Sequence, residues 1–212
     1  MSSLQELERS TEIPVFQNWL KDFVRQHKSD VVVDIGSDMQ LTLAFALAPL
    51  SGIVHSVNFS REHIRMKLSY RASDIKRSNV KLTSGDALKL GNLIPHANII
   101  LVHNVLLDGN NGEDTKLMWQ YRRDEVEYIE NDWQTLLNRF NKAEQDGFTE
   151  FLRVANPGYI IKFGRVDEED KFMKTLTEKI GVDSANIERR RFLYGDGDKE
   201  QWEAYIIDNS QK

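Results

Sequence analysis

The sequence predicts an α/β fold: a doubly wound, mostly parallel seven-stranded sheet with helices on both faces and a C-terminal antiparallel hairpin. Three observations predict it. Short apolar or β-branched runs alternate with amphipathic helical stretches, the pattern of right-handed βαβ crossovers. The first such run, Asp30-Val31-Val32-Val33-Asp34, is apolar at successive positions, as a strand covered on both faces requires. Near the C-terminus, Ile187 to Tyr194 and Trp202 to Ile207 are separated by a turn around Gly195-Asp196-Gly197-Asp198, and so brief a connection pairs strands antiparallel.

The elements follow in order. Val15 to Gln26 carries Phe16, Trp19, Leu20 and Phe23 at helical spacing before the polar break His27-Lys28-Ser29, which makes 1–29 a leading helical segment. Gly36 stops the first strand. Gln40 to Leu50, rich in Ala and Leu, reads as a helix lying on the sheet, ended by Pro49, Ser51 and Gly52. A second strand spans Ile53 to Asn58, and a helix from Glu62 to Lys76 turns Ile64, Leu68 and Ile75 inward. Val80 to Thr83 is a third strand ending at Ser84-Gly85-Asp86, and Asn98 to His103 is a fourth. Asp108 to Asp114 is polar and contains two glycines, so a mobile loop without regular structure is expected there. Val126, Ile129, Trp133, Leu136, Leu137 and Phe140 then recur at the spacing of one long helix, which Phe148 to Val154 continues. Asn156-Pro157-Gly158 breaks the chain before a fifth strand, Tyr159 to Phe163, and Asp167 to Ile180 is a last helix closed by Gly181.

Composition narrows the chemistry. A chain of 212 residues suits one domain, with a core over 30–208 and a loop-and-helix insertion over 108–150 placed above the site. The absence of cysteine excludes disulfides, thiolate metal sites and a cysteine nucleophile. No apolar run reaches the roughly 20 residues that cross a bilayer. Met1-Ser2-Ser3-Leu4-Gln5-Glu6 lacks the basic-then-apolar pattern of a secretory signal, so a cytoplasmic setting is expected. A net charge of −5 disfavours a surface built throughout to grip a phosphate backbone, while leaving a local nucleic-acid contact open. His55, His63 and His96 are scattered without paired spacing, and no metal is expected.

Function is written at the strand ends. Val31-Val32-Val33-Asp34-Ile35-Gly36-Ser37-Asp38 sets an acidic residue and a glycine in the loop after the first strand. Asn58-Phe59-Ser60 closes the second strand, Ser84-Gly85-Asp86-Ala87 the third and Val102-His103-Asn104 the fourth, while Asn156-Pro157-Gly158-Tyr159 leads into the fifth. In an open parallel sheet, ligands bind beyond the carboxyl ends of the strands where strand order reverses. The four strand-end loops open there. Gly36 lets backbone approach a ligand without a Cβ in the way, and the helix N-terminus behind it favours a carboxylate.

In order and spacing, these motifs resemble those of class I S-adenosylmethionine-dependent methyltransferases, with their Rossmann-like fold, over about residues 30 to 208. The resemblance implies S-adenosylmethionine as cofactor, held by Asp34, Ile35, Gly36, Ser37, Asp38, Asn58, Phe59, Asp86, Ala87, His103 and Asn104. It also implies methyl transfer to an acceptor, with His103 and Asp108 as candidate general bases. The acidic balance favours a small-molecule acceptor over RNA or protein. Two departures define a second class of reading, a non-catalytic relative that keeps the fold as an interaction module. The first loop has one glycine where the family has several, and Asn58 stands where an acidic residue accepts both ribose hydroxyls.

Structural roles compete with several of these assignments. Asp34 can instead cap loop N–H groups, Asp86 can N-cap the segment that begins at Ala87, and His103 can satisfy a buried strand end. A nicotinamide dehydrogenase is disfavoured, since a Gly-x-Gly-x-x-Gly loop is absent and Asp38 would face a pyrophosphate. Trp119, Tyr121, Tyr128, Arg122 and Arg123 can form a lid or recognise a planar acceptor, or merely pack a helix. Arg189-Arg190-Arg191 is split by alternation between the two faces of a late strand, so it makes no single phosphate-binding patch. Oligomeric state is not legible in the sequence.

Overall fold

The computed structural model describes residues 14–37, 40–58, 61–103, 107, 113–122, 129–166, 170–194 and 200–210. Seven strands form one sheet: β1 (Val31–Ile35), β2 (Ile53–Asn58), β3 (Val80–Ser84), β4 (Ile99–His103), β5 (Tyr159–Arg165), β6 (Ile187–Tyr194) and β7 (Glu200–Asp208). Their spatial order is β3-β2-β1-β4-β5-β7-β6. β1 to β5 pair in parallel, and β7 runs antiparallel to both β5 and β6. The expected hairpin is present, with β7 inserted between β5 and β6 so that β6 again runs with the parallel set. The chain winds outward from β1 in one direction through β2 and β3, then restarts at β4 on the other side. The crevice between β1 and β4 is therefore the point of reversal.

Both faces of the sheet are covered, which explains the continuous apolar strands. Helix α1 (Pro14–Gln26) buries Phe16, Leu20 and Val24, and α2 (Thr42–Leu47) buries Leu43, Ala44 and Leu47, against Val32, Val54, Leu101, Ile161, Phe163, Trp202 and Ala204. Phe16 stacks on Phe163 with ring centroids 3.6 Å apart, and Phe192 meets Phe16 edge-on, so aromatic geometry anchors α1 over the C-terminal strands. Pro49 closes α2 through a short 3-10 turn at Ala48–Leu50.

On the opposite face lie α5 (Glu130–Val154) and α6 (Lys171–Lys174), which a π-helical stretch prolongs to Ile180. Their residues Phe148, Phe151, Val154, Phe172 and Leu176 pack on Val33, Ile35, Ile100, Val102, Ile160 and Tyr205. Gly181, at φ 81°, closes that helical run as expected. Before β5, a Cβ on Gly158 would sit 2.6 Å from the Asn98 carbonyl oxygen, so the Pro-Gly turn is required by close approach to the entry of β4.

Three expectations are corrected. The 108–114 segment is not irregular throughout, because Glu113 and Asp114 open helix α4 (Glu113–Arg122), where two acids complement the positive end of the helix dipole; residues 108–112 lie outside the described residues. The long helix begins at Glu130, with Ile129 at its N-cap and half exposed, while Val126 lies outside the described residues. In α3 (Arg61–Lys76), Leu68 is 44% exposed. The sheet-facing stripe of that helix runs instead through Ile64, Lys67, Arg71 and Ile75, and its fully buried member is Lys67.

His55 of β2 is buried and pairs through Nδ1 with Thr83 Oγ1 at 3.2 Å. Burial, and secondarily the positive charge of Lys81, hold its pKa below the ordinary value of 6.5. The neutral ring is thus favoured by folding, so this contribution is complete above about pH 6.5 and declines as pH falls toward the depressed folded value. Urea unfolding of wild type and His55→Gln between pH 7.5 and 5 should show the wild type losing more stability on acidification. Parallel pH profiles would contradict the assignment.

Candidate functional site

Strand β1 delivers Asp34 and Ile35 to the point of reversal, and Gly36 then turns the chain with φ 78°. An L side chain in that left-handed region costs about 1–2 kcal/mol, so the bend selects glycine. The Gly36 N–H reaches the Val57 carbonyl at 3.4 Å, which keeps the loop against β2.

Alternation sends Asp34, Ser56 and His103 to the same face of the sheet: the register pairs Asp34 with Ser56 of β2 and with Leu101 of β4, and His103 stands two residues beyond Leu101 on the same face. Asp34 and His103 are 0% and 2% exposed. His103 Nε2 lies 2.6 Å from Asp34 Oδ1. A carboxylate oxygen only accepts, so an imidazole N–H is assigned to Nε2, and in the neutral ring Nδ1 then carries the lone pair. Asp34 Oδ2 and His103 Nδ1 are both buried without a hydrogen-bond partner. Two buried polar atoms without partners at the carboxyl edge of the central strands are costly as they stand, and each such atom calls for an explanation, a bound polar ligand among them.

Beneath the loop, the Ser37 hydroxyl is turned inward to the Ser56 hydroxyl. Lys67, arriving from α3, donates from Nζ to the Ser37 carbonyl oxygen at 2.8 Å and to Ser37 Oγ at 2.6 Å. Ser37 is thus drawn into the protein. Asn58 ends β2 half-buried, and its carbonyl accepts from Gly85 N–H at 3.2 Å, which joins the second and third strand-end loops. Asp86 N-caps the short 3-10 helix at Ala87–Asn92, with Oδ1 accepting from Leu88 N–H at 2.9 Å, so its structural role is realised in full.

Of the residues expected at the site, Asp34, Ile35, Gly36, Ser37, Asn58, Asp86, Ala87 and His103 all fall on strand ends or loops at the carboxyl edge. Asp38, Phe59, Asn104 and Asp108 lie outside the described residues, as do Arg123 and Tyr128. Tyr121 packs edge-on against Trp133, with ring centroids 5.8 Å apart, in a small cluster with Met118, Leu136 and Phe140 that joins α4 to the start of α5. Arg189 is committed to Glu203 at 2.6 Å and Asp170 at 2.5 Å, and the Glu203 bond raises its pKa, whereas Arg190 lies over Trp19 on the other face. Among the described residues, no group of three His, Asp or Glu side chains is arranged for a metal, and no helix is long and apolar enough to cross a membrane.

Two features escaped the sequence. The Asp34–His103 bond joins residues 69 positions apart, and only the β1–β4 pairing brings them together. Lys67 was hidden by its residue type, although its spacing from Ile64, Arg71 and Ile75 marked the inward stripe.

No protein-family model and no curated protein matches the chain. Solved structures do. A magnesium protoporphyrin IX methyltransferase from Synechocystis PCC 6803, determined with bound SAM, aligns with a TM-score of 0.60 and 10% identity over 98% of this chain and 85% of its own. An rRNA methylase from Streptococcus thermophilus aligns with a TM-score of 0.54 and 15% identity over 90% of this chain and 94% of its own. The N-methyltransferase NodS from Bradyrhizobium japonicum WM9, in complex with S-adenosyl-L-homocysteine, gives 0.52 and 14% over 98% and 99%. The fold is that of the class I S-adenosylmethionine-dependent methyltransferases.

Removing the imidazole leaves a carboxylate buried without a partner, which costs about 3–5 kcal/mol when a buried pair is broken. His103→Ala should therefore destabilise the protein by about 3 kcal/mol in urea unfolding, and His103→Gln, which retains an N–H donor, by clearly less. Equal losses for the two variants would show that the bond to Asp34 contributes nothing.

Proposed function

We propose that this chain binds S-adenosylmethionine across the loop Asp34-Ile35-Gly36-Ser37 and transfers its methyl group to an acceptor nucleophile. The observation that carries the reading is the Gly36 bend at the point of strand reversal, two residues beyond a buried carboxylate whose second oxygen has no partner. When bound, the cofactor supplies a methyl group on a positively charged sulfur, already activated for in-line displacement by an acceptor lone pair. The chain's own task is placement. The glycine bend leaves room for the amino-acid tail, and Asp34 Oδ2 offers an acceptor to its ammonium group. Asn58 meets the ribose with an amide, one acceptor and one donor group, in place of two carboxylate oxygens. Asp86 and Ala87, with Ile35, Asp38, Phe59 and Asn104, are carried by the resemblance as further contacts.

His103 fits the role of general base. With Nε2–H held by Asp34, its lone pair sits on Nδ1, and the adjacent carboxylate stabilises the imidazolium that forms when Nδ1 takes a proton. Asp108 is carried as the other candidate. The acceptor proposed is a small molecule, on the acidic charge balance of the chain. Helix α4 and the first turns of α5 belong to the proposed insertion above the site, and a cytoplasmic setting, supported by the cysteine-free composition, belongs to the same proposal.

Asn58 favours a second reading, in which the fold persists as a non-catalytic module: without the acid at this position, the ribose loses a charge-assisted contact. Calorimetric titration with S-adenosylmethionine and S-adenosylhomocysteine separates the two. Wild type should bind with a Kd below about 1 mM. Gly36→Val, a β-branched side chain placed at positive φ, should abolish binding. An absence of heat and of any thermal shift for the wild type would remove the enzyme reading, and unchanged affinity in Gly36→Val would place the site elsewhere.

A further inference from the structure

Helix α3 is a sparsely packed element. Of its sixteen residues, Lys67 is the one that is fully buried, while Leu68 and Tyr70 are exposed. Nature more often does the reverse, because burying an ammonium group costs several kcal/mol unless it is hydrogen-bonded or paired. Lys67 recovers that cost through the loop after β1: its Nζ donates to both the carbonyl oxygen and the hydroxyl of Ser37. The hydroxyl continues to Ser56 of β2. The chain Lys67, Ser37, Ser56 therefore pins the loop from below to two different elements, α3 and β2.

We propose that Lys67 is a positioning residue for the cofactor loop, taking over from side-chain chemistry what additional glycines do in glycine-rich versions of this bend. Drawing the Ser37 carbonyl down onto Lys67 turns its oxygen away from the outer side of the bend which Gly36 opens. A carboxylate approaching from outside is then spared the repulsion of that oxygen. The ammonium charge beneath the loop adds a favourable field for the same anion. The ligand chemistry recognised is thus the carboxylate of an α-amino-acid tail. This inference rests on the S-adenosylmethionine reading and assigns it a residue outside every strand-end loop.

The test compares two ligands that differ in that tail. S-Adenosylhomocysteine carries the amino-acid group, and 5′-methylthioadenosine lacks it while keeping the nucleoside. In calorimetry, Lys67→Met should weaken S-adenosylhomocysteine about tenfold or more, the worth of a charge-assisted hydrogen bond, and leave 5′-methylthioadenosine within about twofold. Lys67→Arg should recover most of the loss. Ser37→Ala, which removes the hydroxyl but retains the carbonyl, should fall between the two and serves as the readout if Lys67→Met does not fold. Equal weakening of both ligands in Lys67→Met, or in Ser37→Ala where that variant is the readout, would show a general structural role and overturn the proposal. So would an unchanged S-adenosylhomocysteine affinity, with cofactor binding by the wild type intact. Failure of the wild type to bind S-adenosylhomocysteine at all would bring down the cofactor reading itself, a distinct outcome.

Discussion

A single hydrogen bond between buried side chains, His103 to Asp34, closes the crevice where the sheet changes its direction of winding. It joins β1 to β4, the two strands whose separation would open the site, and it determines which nitrogen of the imidazole carries the proton. Each partner alone would be an unpaired polar group in the interior, so the two positions depend on each other. Gly36 follows two residues after Asp34, so the bend it permits begins just beyond the pair. Function and stability meet in the same few atoms.

Around that centre the molecule is built asymmetrically. The strands on both sides of the crevice pack apolar residues on both faces, and α1, α2, α5 and α6 cover them with interlocking aromatic and aliphatic side chains. Polar side chains are buried chiefly toward the carboxyl edge, where Asp34, Ser37, Ser56, Lys67 and His103 lie within one connected neighbourhood. Two of the buried atoms without a hydrogen-bond partner, Asp34 Oδ2 and His103 Nδ1, lie at that rim, while the strands between are given over mainly to hydrophobic packing. Such a division is what a ligand site at a point of strand reversal requires.

Much of this was legible in the sequence. Strand and helix existence followed from periodicity, and β2 and β6 span the same residues, Ile53–Asn58 and Ile187–Tyr194, that the sequence predicts for them. The candidate residues at the strand ends emerged because loops after parallel strands share one edge, a consequence of topology that needs no side-chain detail. What stayed hidden was tertiary in origin. The placement of β7 between β5 and β6 depends on which sheet edge the hairpin joins, and local pattern is silent on that. Leu68 was taken inward on hydrophobicity, yet α3 rotates to bring Lys67 under the loop, because hydrogen bonds to Ser37 compensate the burial of an ammonium group. The acids Glu113 and Asp114 resembled loop residues until the helix they initiate was seen.

A crystal structure of the protein with S-adenosylhomocysteine tests the central claim most directly. The account predicts electron density at the carboxyl edge between β1 and β4, with the ligand's amino-acid tail over Gly36 and Ser37 and its ammonium group at the free oxygen of Asp34. Ligand density elsewhere, or a Gly36 bend closed by the chain's own side chains with the ligand excluded, would contradict it.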